Sequence, residues 1–241
     1  MNIHVGTSGY YYMHWYENFY PQGLPKNKLF GFYQEYFDTV ELNSTFYHLP
    51  KETVVENWNA RAKNDFVYSV KMWRRITHLK RLNDVSADLA LFFSKMSALE
   101  KKTGIYLVQL PPLMRKDIVR LEELLDNTKD KKLALEFRNE TWFSDDVYHI
   151  LEKRNKSFCI ADMPDLKFPK KVTADYVYIR LHGFNTLYSG RYPDEELRKW
   201  ADFVQNLKAT VKEVFIYFNN DFEGNAVKDA LRLKEILNEY N

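Results

Sequence analysis

Eight short segments rich in β-branched and aromatic residues recur along the chain and predict buried β-strands. Most of their residues are apolar, without the strict apolar–polar alternation of a strand that has one face in water. Such segments are typical of parallel strands that are covered on both faces. The predicted strands are residues 3–7, 39–42, 66–71, 105–110, 133–137, 157–161, 176–181 and 214–218.

The segments between these strands carry apolar residues at helical spacing, as Ile118, Leu121, Leu124 and Leu125 do. Asn83-Asp84 and Ser144 are predicted N-caps of two of the helices. Strands that alternate with helices predict a parallel sheet with helical crossovers. The predicted helices are residues 28–37, 52–62, 85–101, 117–127, 144–154, 194–208 and 226–240.

One crossover departs from this pattern. Residues 162–175 contain Pro164 and Pro169 and show no helical period, which predicts a loop in place of the sixth helix. Eight strand–crossover units favour a single (β/α)8 (TIM) barrel domain over residues 1–241. An open doubly wound sheet is less favoured, because Gly6-Thr7-Ser8-Gly9 lacks the dinucleotide-binding glycine spacing.

Composition agrees with this fold and excludes several classes of protein. The 241 residues match one barrel of roughly 250 residues. A net charge of +2 excludes a globally basic nucleic-acid binder, though not a local basic patch. Cys159 is the only cysteine, which excludes a disulfide framework and a zinc–thiolate site and fits the cytoplasm. With neither a signal pattern nor a long apolar run, we expect a cytoplasmic protein with no membrane partner.

Polar residues stand at the end of nearly every predicted strand. Because side chains alternate along a strand, Glu136 and Arg138 project to one side, and so do Arg180 and His182. Barrel enzymes carry their sites at this end of the strands, so we expect these groups to share one opening. The alternative is a set of internal ion pairs that bind nothing. The predicted catalytic residues are Glu41, Lys71, Glu136 and His182, and the predicted substrate-binding residues are Ser8, Asn43, Gln109, Arg138, Asp162, Arg180, Asn219 and Asn220.

Three features favour a small anionic or phosphorylated ligand. The turn at residues 219–225, with the loop after strand seven, occupies the usual phosphate position of barrels, although Asp221 and Glu223 oppose an anion there. Residues 71–81 hold five basic residues, a His and a Trp, and could instead be a solvated loop. Aromatic residues near the first two strand ends, Phe46 and Tyr47 among them, could stack on a ligand or simply pack. Residues 188–192 could form a lid with a glycine hinge, or a static turn.

A divalent metal is an alternative that the sequence does not favour. Glu41, Glu136, Asp162 and His182 offer suitable ligand atoms, but no metal-binding spacing marks them. The predicted cations of the same site would repel a metal ion.

Several motifs together resemble one known family. They are Val5-Gly6-Thr7-Ser8-Gly9-Tyr10, residues 37–47, Ile76-Thr77-His78, Gln109-Leu110-Pro111-Pro112, Glu136-Phe137-Arg138, residues 178–183 and Tyr217-Phe218-Asn219-Asn220. In this order they resemble domain-of-unknown-function family 72, also called YecE-like. The resemblance implies a TIM barrel related in architecture to xylose-isomerase-like and endonuclease-IV-like barrels. It implies no particular reaction.

Three functions follow as hypotheses. The first is an enzyme, a hydrolase or lyase, that acts on a phosphorylated compound such as a nucleotide or nucleic-acid phosphodiester. In it Lys71, Arg138 and Arg180 hold the phosphate, Glu41 or Glu136 is the base, and His182 is the acid. The second is a sugar isomerase or aldolase in which Lys71 forms a Schiff base. The third is a nucleic-acid-binding protein without catalysis.

Overall fold

The computed structural model describes residues 1–240. Its strands are β1 (Asn2–Thr7), β2 (Thr39–Leu42), β3 (Val67–Lys71), β4 (Thr103–Gln109), β5 (Leu133–Glu136), β6 (Ser157–Met163), β7 (Leu166–Lys167), β8 (Tyr176–Leu181) and β9 (Glu213–Phe218). Its α-helices are α1 (Leu29–Tyr33), α2 (Ser44–Tyr47), α3 (Glu52–Arg61), α4 (Ser86–Met96), α5 (Ile118–Asp126), α6 (Asp145–Lys153), α7 (Asp194–Asn206) and α8 (Asn225–Asn238).

The chain forms two compact units, each assembled from separate stretches. The first comprises Met1–Glu41, Ile160–Phe168 and Asp175–Asn241, and the second comprises Leu42–Cys159 and Pro169–Ala174. The chain therefore passes between the units several times, and β6 contributes residues to both.

In the first unit β9 lies between β1 and β8, and both neighbours run parallel to it. Asn2 and Tyr176 each pair with Glu213, and the register continues without a break to the ends of all three strands. Helix α8 packs on β1 through a buried face that includes Ala226, Ala230 and Leu233. Thr7, Leu181 and Phe218 consequently end at the same level, so the polar residues that follow them begin side by side.

In the second unit β4 lies between β3 and β5, again in parallel. Lys71 pairs with Leu107, and Gln109 pairs with Glu136. Strand β5 continues the sheet to the first residues of β6 through Ala134 and Ser157. No residue of β4 or β5 is exposed and every residue of β5 is buried, which explains why the sequences of these two strands are mostly apolar.

The predicted strands agree with the observed ones to within two residues at either end. The crossover after β6 contains no helix among residues 164–175, as predicted. It forms instead a short hairpin in which Asp162 pairs with Lys167 and Met163 with Leu166. The eight parallel strands and their crossovers follow one another as the predicted barrel class requires, while the single-domain assignment stays a prediction.

Some helix boundaries differ from those predicted. The predicted helix 28–37 shortens to α1, preceded by a 3-10 turn at Lys26–Lys28, and the end of the predicted helix 85–101 becomes the 3-10 segment Ser97–Lys102. The predicted cap at Asn83-Asp84 is wrong, because Asp84 has a left-handed backbone (φ 46°) and Val85 is the N-cap. Ser144 does cap α6. Among residues 1–240, no helix is both long and apolar enough to span a lipid bilayer.

Candidate functional site

A buried arginine–carboxylate pair dominates the strand ends of the first unit. Arg180, near the end of β8, donates from Nε to Oε2 of Glu41 (2.9 Å) and from Nη2 to Oε1 (2.8 Å). Tyr178 donates to the same carboxylate (2.7 Å), and Ser8 donates to its other oxygen. The carboxylate thus accepts four hydrogen bonds, which stabilise its charge and fix its orientation. This arrangement favours a role for Glu41 in positioning Arg180 over a role in abstracting a proton.

The same polar network continues to His182 and Asn219. The Nε2 atom of His182 lies 3.4 Å from Nη1 of Arg180, and its Nδ1 atom lies 3.0 Å from the amide nitrogen of Asn219. His182 is completely buried, and the ring of Tyr188 meets it edge-on at 5.6 Å between centroids. The first unit therefore brings together five of the predicted site residues: Ser8, Glu41, Arg180, His182 and Asn219.

Asn220 and Asp162 hold the loop that follows β8. Asn220 donates from Nδ2 to the carbonyl of Gly190 and to Asp229 of α8, both at 2.8 Å. Asp229 is fully buried and also accepts from Nε of Arg191 and from the backbone of Tyr192, each at 3.0 Å. The hydroxyl of Tyr192 bonds to Asp162 and lies 3.1 Å from the backbone N–H of Gly183. Through these contacts Asn220 and Asp162 stabilise the conformation of the loop that follows β8.

The start of α8 offers little room for the phosphate expected there. Nε2 of His14 and Nε1 of Trp15 bond to the carbonyl of Asp221, and Trp15 and Asn18 pack against Gly224 at the N-cap. Burial raises the pKa of the Asp221 carboxyl, whose charge is therefore already costly at this position. A second anion at this turn is disfavoured by both features.

The second unit carries a different cluster, built around His78. Arg138 donates from Nε to Glu136, and both side chains are buried. Lys71 ends β3 and places Nζ 4.4 Å from the ring centre of Phe46. Phe46 also meets the ring of His78 edge-on, with centroids 4.9 Å apart. The side chains of Lys71 and His78 therefore both contact the ring of Phe46.

The electrostatics of this cluster are dominated by positive charge. Burial, together with the charges of Lys71, Arg74 and Arg138, lowers the pKa of His78 to about 4, although Glu136 acts in the opposite direction. His78 is consequently a neutral imidazole at neutral pH. It lies in a π-helical turn (Arg75–Leu79), a local irregularity that is frequent at functional sites.

Gln109 and Asn43 flank this second cluster. Gln109 stands opposite Glu136 in the β4–β5 register and is half-buried. Asn43 precedes α2, whose Thr45 donates to the carbonyl of Lys71 (2.7 Å). The second unit therefore gathers the remaining predicted residues, Asn43, Lys71, Gln109, Glu136 and Arg138. A single opening shared by all the predicted site residues stays a prediction.

The sequence prediction missed three residues with prominent roles. Tyr178 lies two positions before Arg180, so strand alternation could have identified it. Asp229 lies on the buried face of α8, where an acid is unusual. His78 stood in the basic segment and in a family motif but was not selected, because nothing local showed that it would face cations from β3 and β5. Among the described residues no cluster of three or more His, Cys, Asp or Glu side chains is suited to a metal ion.

Comparisons with known proteins agree with this architecture. The chain is 24% identical over 271 residues to UPF0759 protein YunF of Bacillus subtilis (strain 168), covering 98% of this chain and 94% of that one. A segment of 79 residues is 35% identical to UPF0759 protein YecE of Escherichia coli (strain K12), covering 33% and 29% of the two chains.

Solved structures of similar fold cover nearly the whole chain. A DUF72 family protein from Thermotoga maritima MSB8 superposes with a TM-score of 0.91 at 29% identity, covering 99% of this chain and 100% of that chain. A DUF72 family protein from Enterococcus faecalis V583 gives a TM-score of 0.85 at 21% identity, over 98% and 95%, which speaks for the fold alone. The predicted TIM-barrel fold class is confirmed. The profile of the family described as "Protein of unknown function DUF72" matches residues 4–241, and the chain belongs to this family.

Proposed function

We propose that this protein is an enzyme that binds a phosphorylated compound at the cationic cluster of its second unit. One observation carries the proposal: the charges of three cations, Lys71, Arg74 and Arg138, all act on His78, and Glu136 acts in the opposite direction. Such a concentration of positive charge around a neutral imidazole suits an anionic ligand such as a phosphate monoester.

The partners of the cations support the same ligand class. Glu136 accepts a hydrogen bond from Nε of Arg138 and so fixes the orientation of the guanidinium group. Lys71 is a compact ammonium group at the end of β3, held over Phe46. A fixed guanidinium fork and a point charge are the pair with which proteins commonly hold phosphate oxygens.

The roles proposed here differ in part from those expected from sequence alone. Lys71 and Arg138 retain the task of holding the phosphate. Arg180 forms a buried ion pair with Glu41 in the first unit. The phosphate contact that the sequence predicted for Arg180 is therefore not part of the proposal. Glu136 serves the site by orienting Arg138.

Binding is tested by calorimetric titration of the full chain with inorganic phosphate at low ionic strength. Lys71→Met and Arg138→Met each remove one charged hydrogen-bond donor, and each is expected to raise Kd about tenfold or more. Lys153→Met is the matched control, because Lys153 is exposed in the last turn of α6 in the same unit. Saturable binding that Lys71→Met and Arg138→Met leave unchanged contradicts the proposed site, and so does the absence of binding.

Turnover is tested with a panel of phosphate monoesters and phosphodiesters. The expected result is hydrolysis or elimination of at least one class, with kcat/KM lowered at least about a hundredfold by Lys71→Met, since the charge stabilises the transition state. Binding without turnover of any class refutes the enzymatic part and leaves a binding protein. A substrate confined to diesters within a nucleic acid identifies the polymer as the ligand.

A further inference from the structure

The hydrogen bonding of His78 restricts what this residue can do. Its Nδ1 atom lies 2.9 Å from the hydroxyl oxygen of Thr77. The Thr77 side chain is completely buried, and among residues 1–240 its hydroxyl has His78 as its one hydrogen-bond partner. Buried hydroxyl groups almost always donate their proton to an acceptor.

Only one proton arrangement satisfies both groups. If Nδ1 carried the proton and donated to Thr77, the threonine hydroxyl proton would be buried with no acceptor, at a cost of about 1–3 kcal/mol. If Thr77 donates instead, Nδ1 accepts and both atoms are satisfied. The ring proton of neutral His78 then lies on Nε2.

We propose that His78 is a neutral hydrogen-bond donor to an oxygen of the ligand, through Nε2–H, and that the Thr77 hydroxyl imposes this arrangement. The inference rests on the proposed function, because the ligand oxygen is that of the anion bound beside Lys71 and Arg138. His78 is the residue that contacts the ligand, and Thr77 is a positioning residue.

The surroundings explain why a neutral donor suits this place. Lys71 at the end of β3, Arg74 in the following loop and Arg138 after β5 already supply positive charge to the ring, and Glu136 acts in the opposite direction. An imidazolium would repel these cations, whereas a neutral N–H can approach an oxygen between them. A neutral imidazole is also the better match for an oxygen that gains charge only during the reaction, such as a phosphoryl or carbonyl oxygen.

The proton position is measured directly by long-range ¹H–¹⁵N NMR of the imidazole nitrogens at pH 7. We expect Nε2 of His78 to be protonated and Nδ1 to be bare. His149 on α6 is an internal control in which the other ring nitrogen should carry the proton. Its Nδ1 lies 2.6 Å from the carbonyl oxygen of Asp145, which can only accept, so Nδ1 must donate. Thr77→Val removes the hydroxyl at nearly constant volume and should produce a mixture of tautomers, whereas Thr77→Ser should retain the wild-type one.

The role of the donor is measured through phosphate affinity in two variants. His78→Gln keeps a neutral N–H donor and should bind inorganic phosphate within about threefold of wild type, while His78→Phe lacks the donor and should bind about tenfold more weakly. Equal loss in both variants overturns the donor role, and so does a His78 ring protonated on Nδ1.

The two proposals fail in distinguishable ways. If the wild-type protein does not bind phosphate, the proposed function fails, and the donor role falls with it even where the NMR tautomer is as expected. If phosphate binds and depends on Lys71 but not on the donor at position 78, only the present inference fails.

Discussion

Arg180 and Glu41 form two parallel hydrogen bonds between side chains that are 1% and 0% exposed. The pair is bidentate, and Tyr178 and Ser8 complete the coordination of the carboxylate. Each charge thus compensates the other in a place that water does not reach. Such a pair contributes little net stability by itself, but the loss of one partner leaves a buried charge without compensation.

Arg180→Met is therefore expected to lower the free energy of unfolding by about 3–5 kcal/mol, measured by urea denaturation. Arg198→Met is the control, because Arg198 pairs with Glu239 at the surface, where water screens both charges and the loss should be much smaller. Equal losses of unfolding free energy in the two variants would contradict the larger cost expected from leaving a buried charge without its partner.

Gly183 is expected to tolerate no side chain. Its backbone has φ +124°, and an added Cβ would lie 2.2 Å from the carbonyl oxygen of Thr186 and 2.3 Å from that of Ser189. Gly190 also has a positive φ, of +74°, but an added Cβ there meets nothing within 4 Å. Gly190→Ala should cost about 1 kcal/mol in unfolding free energy from backbone strain alone. Gly183→Ala should cost clearly more in the same thermal or urea experiment, and equal costs would contradict the close approach.

Asp229 is expected to anchor the loop between β8 and α7. It binds Arg191, the backbone of Tyr192 and the side chain of Asn220, so Asp229→Ala removes three contacts at once. Cleavage by chymotrypsin after the exposed Tyr188 should then become several-fold faster under native conditions, because local opening is easier. Glu195→Ala on the exposed face of α7 is the control and should leave the rate unchanged. An unchanged rate in Asp229→Ala would assign the anchoring to other contacts.

His78 is expected to make the protein less stable in mild acid. Its pKa is about 4 in the folded protein, against 6.5 for an ordinary histidine, so the unfolded chain binds the proton more tightly. The contribution of this group to stability is complete above pH 6.5, declines as the pH falls from there, and is fully lost once the pH has passed through about 4.

The measurement is the urea midpoint of His78→Phe and of the wild type at several pH values between 4 and 7. The variant should show a flatter dependence on pH in this window. His149→Phe is the matched control, since His149 lies exposed on α6. Parallel curves for His78→Phe and the wild type would exclude a lowered pKa.

Several parts of the structure were predictable because they depend on local patterns. The apolar strands, the amphipathic α5 and the helix-free crossover with Pro164 and Pro169 all follow from spacing and backbone chemistry within about ten residues. The pairing of Glu136 with Arg138 was also predictable, since alternation places both on one side of a strand. The N-cap at Val85 was not, because nothing in the local sequence marks Asp84 as the residue that adopts a left-handed backbone (φ 46°) just before the helix.

The amino-acid sequence by itself determined the order of strands and crossovers, the fold class and which strand ends are polar, because these depend on hydrophobic period and chain direction. Only the tertiary structure decided which polar groups meet. In the folded protein the Glu41 carboxylate accepts hydrogen bonds from four donor groups, two of them on Arg180. Asn220 donates to Asp229, and the charges that act on His78 include cations that follow two separate strands. The physical reason is that hydrogen bonds and charge interactions act over a few ångströms between residues distant in the chain, and no local pattern encodes that proximity.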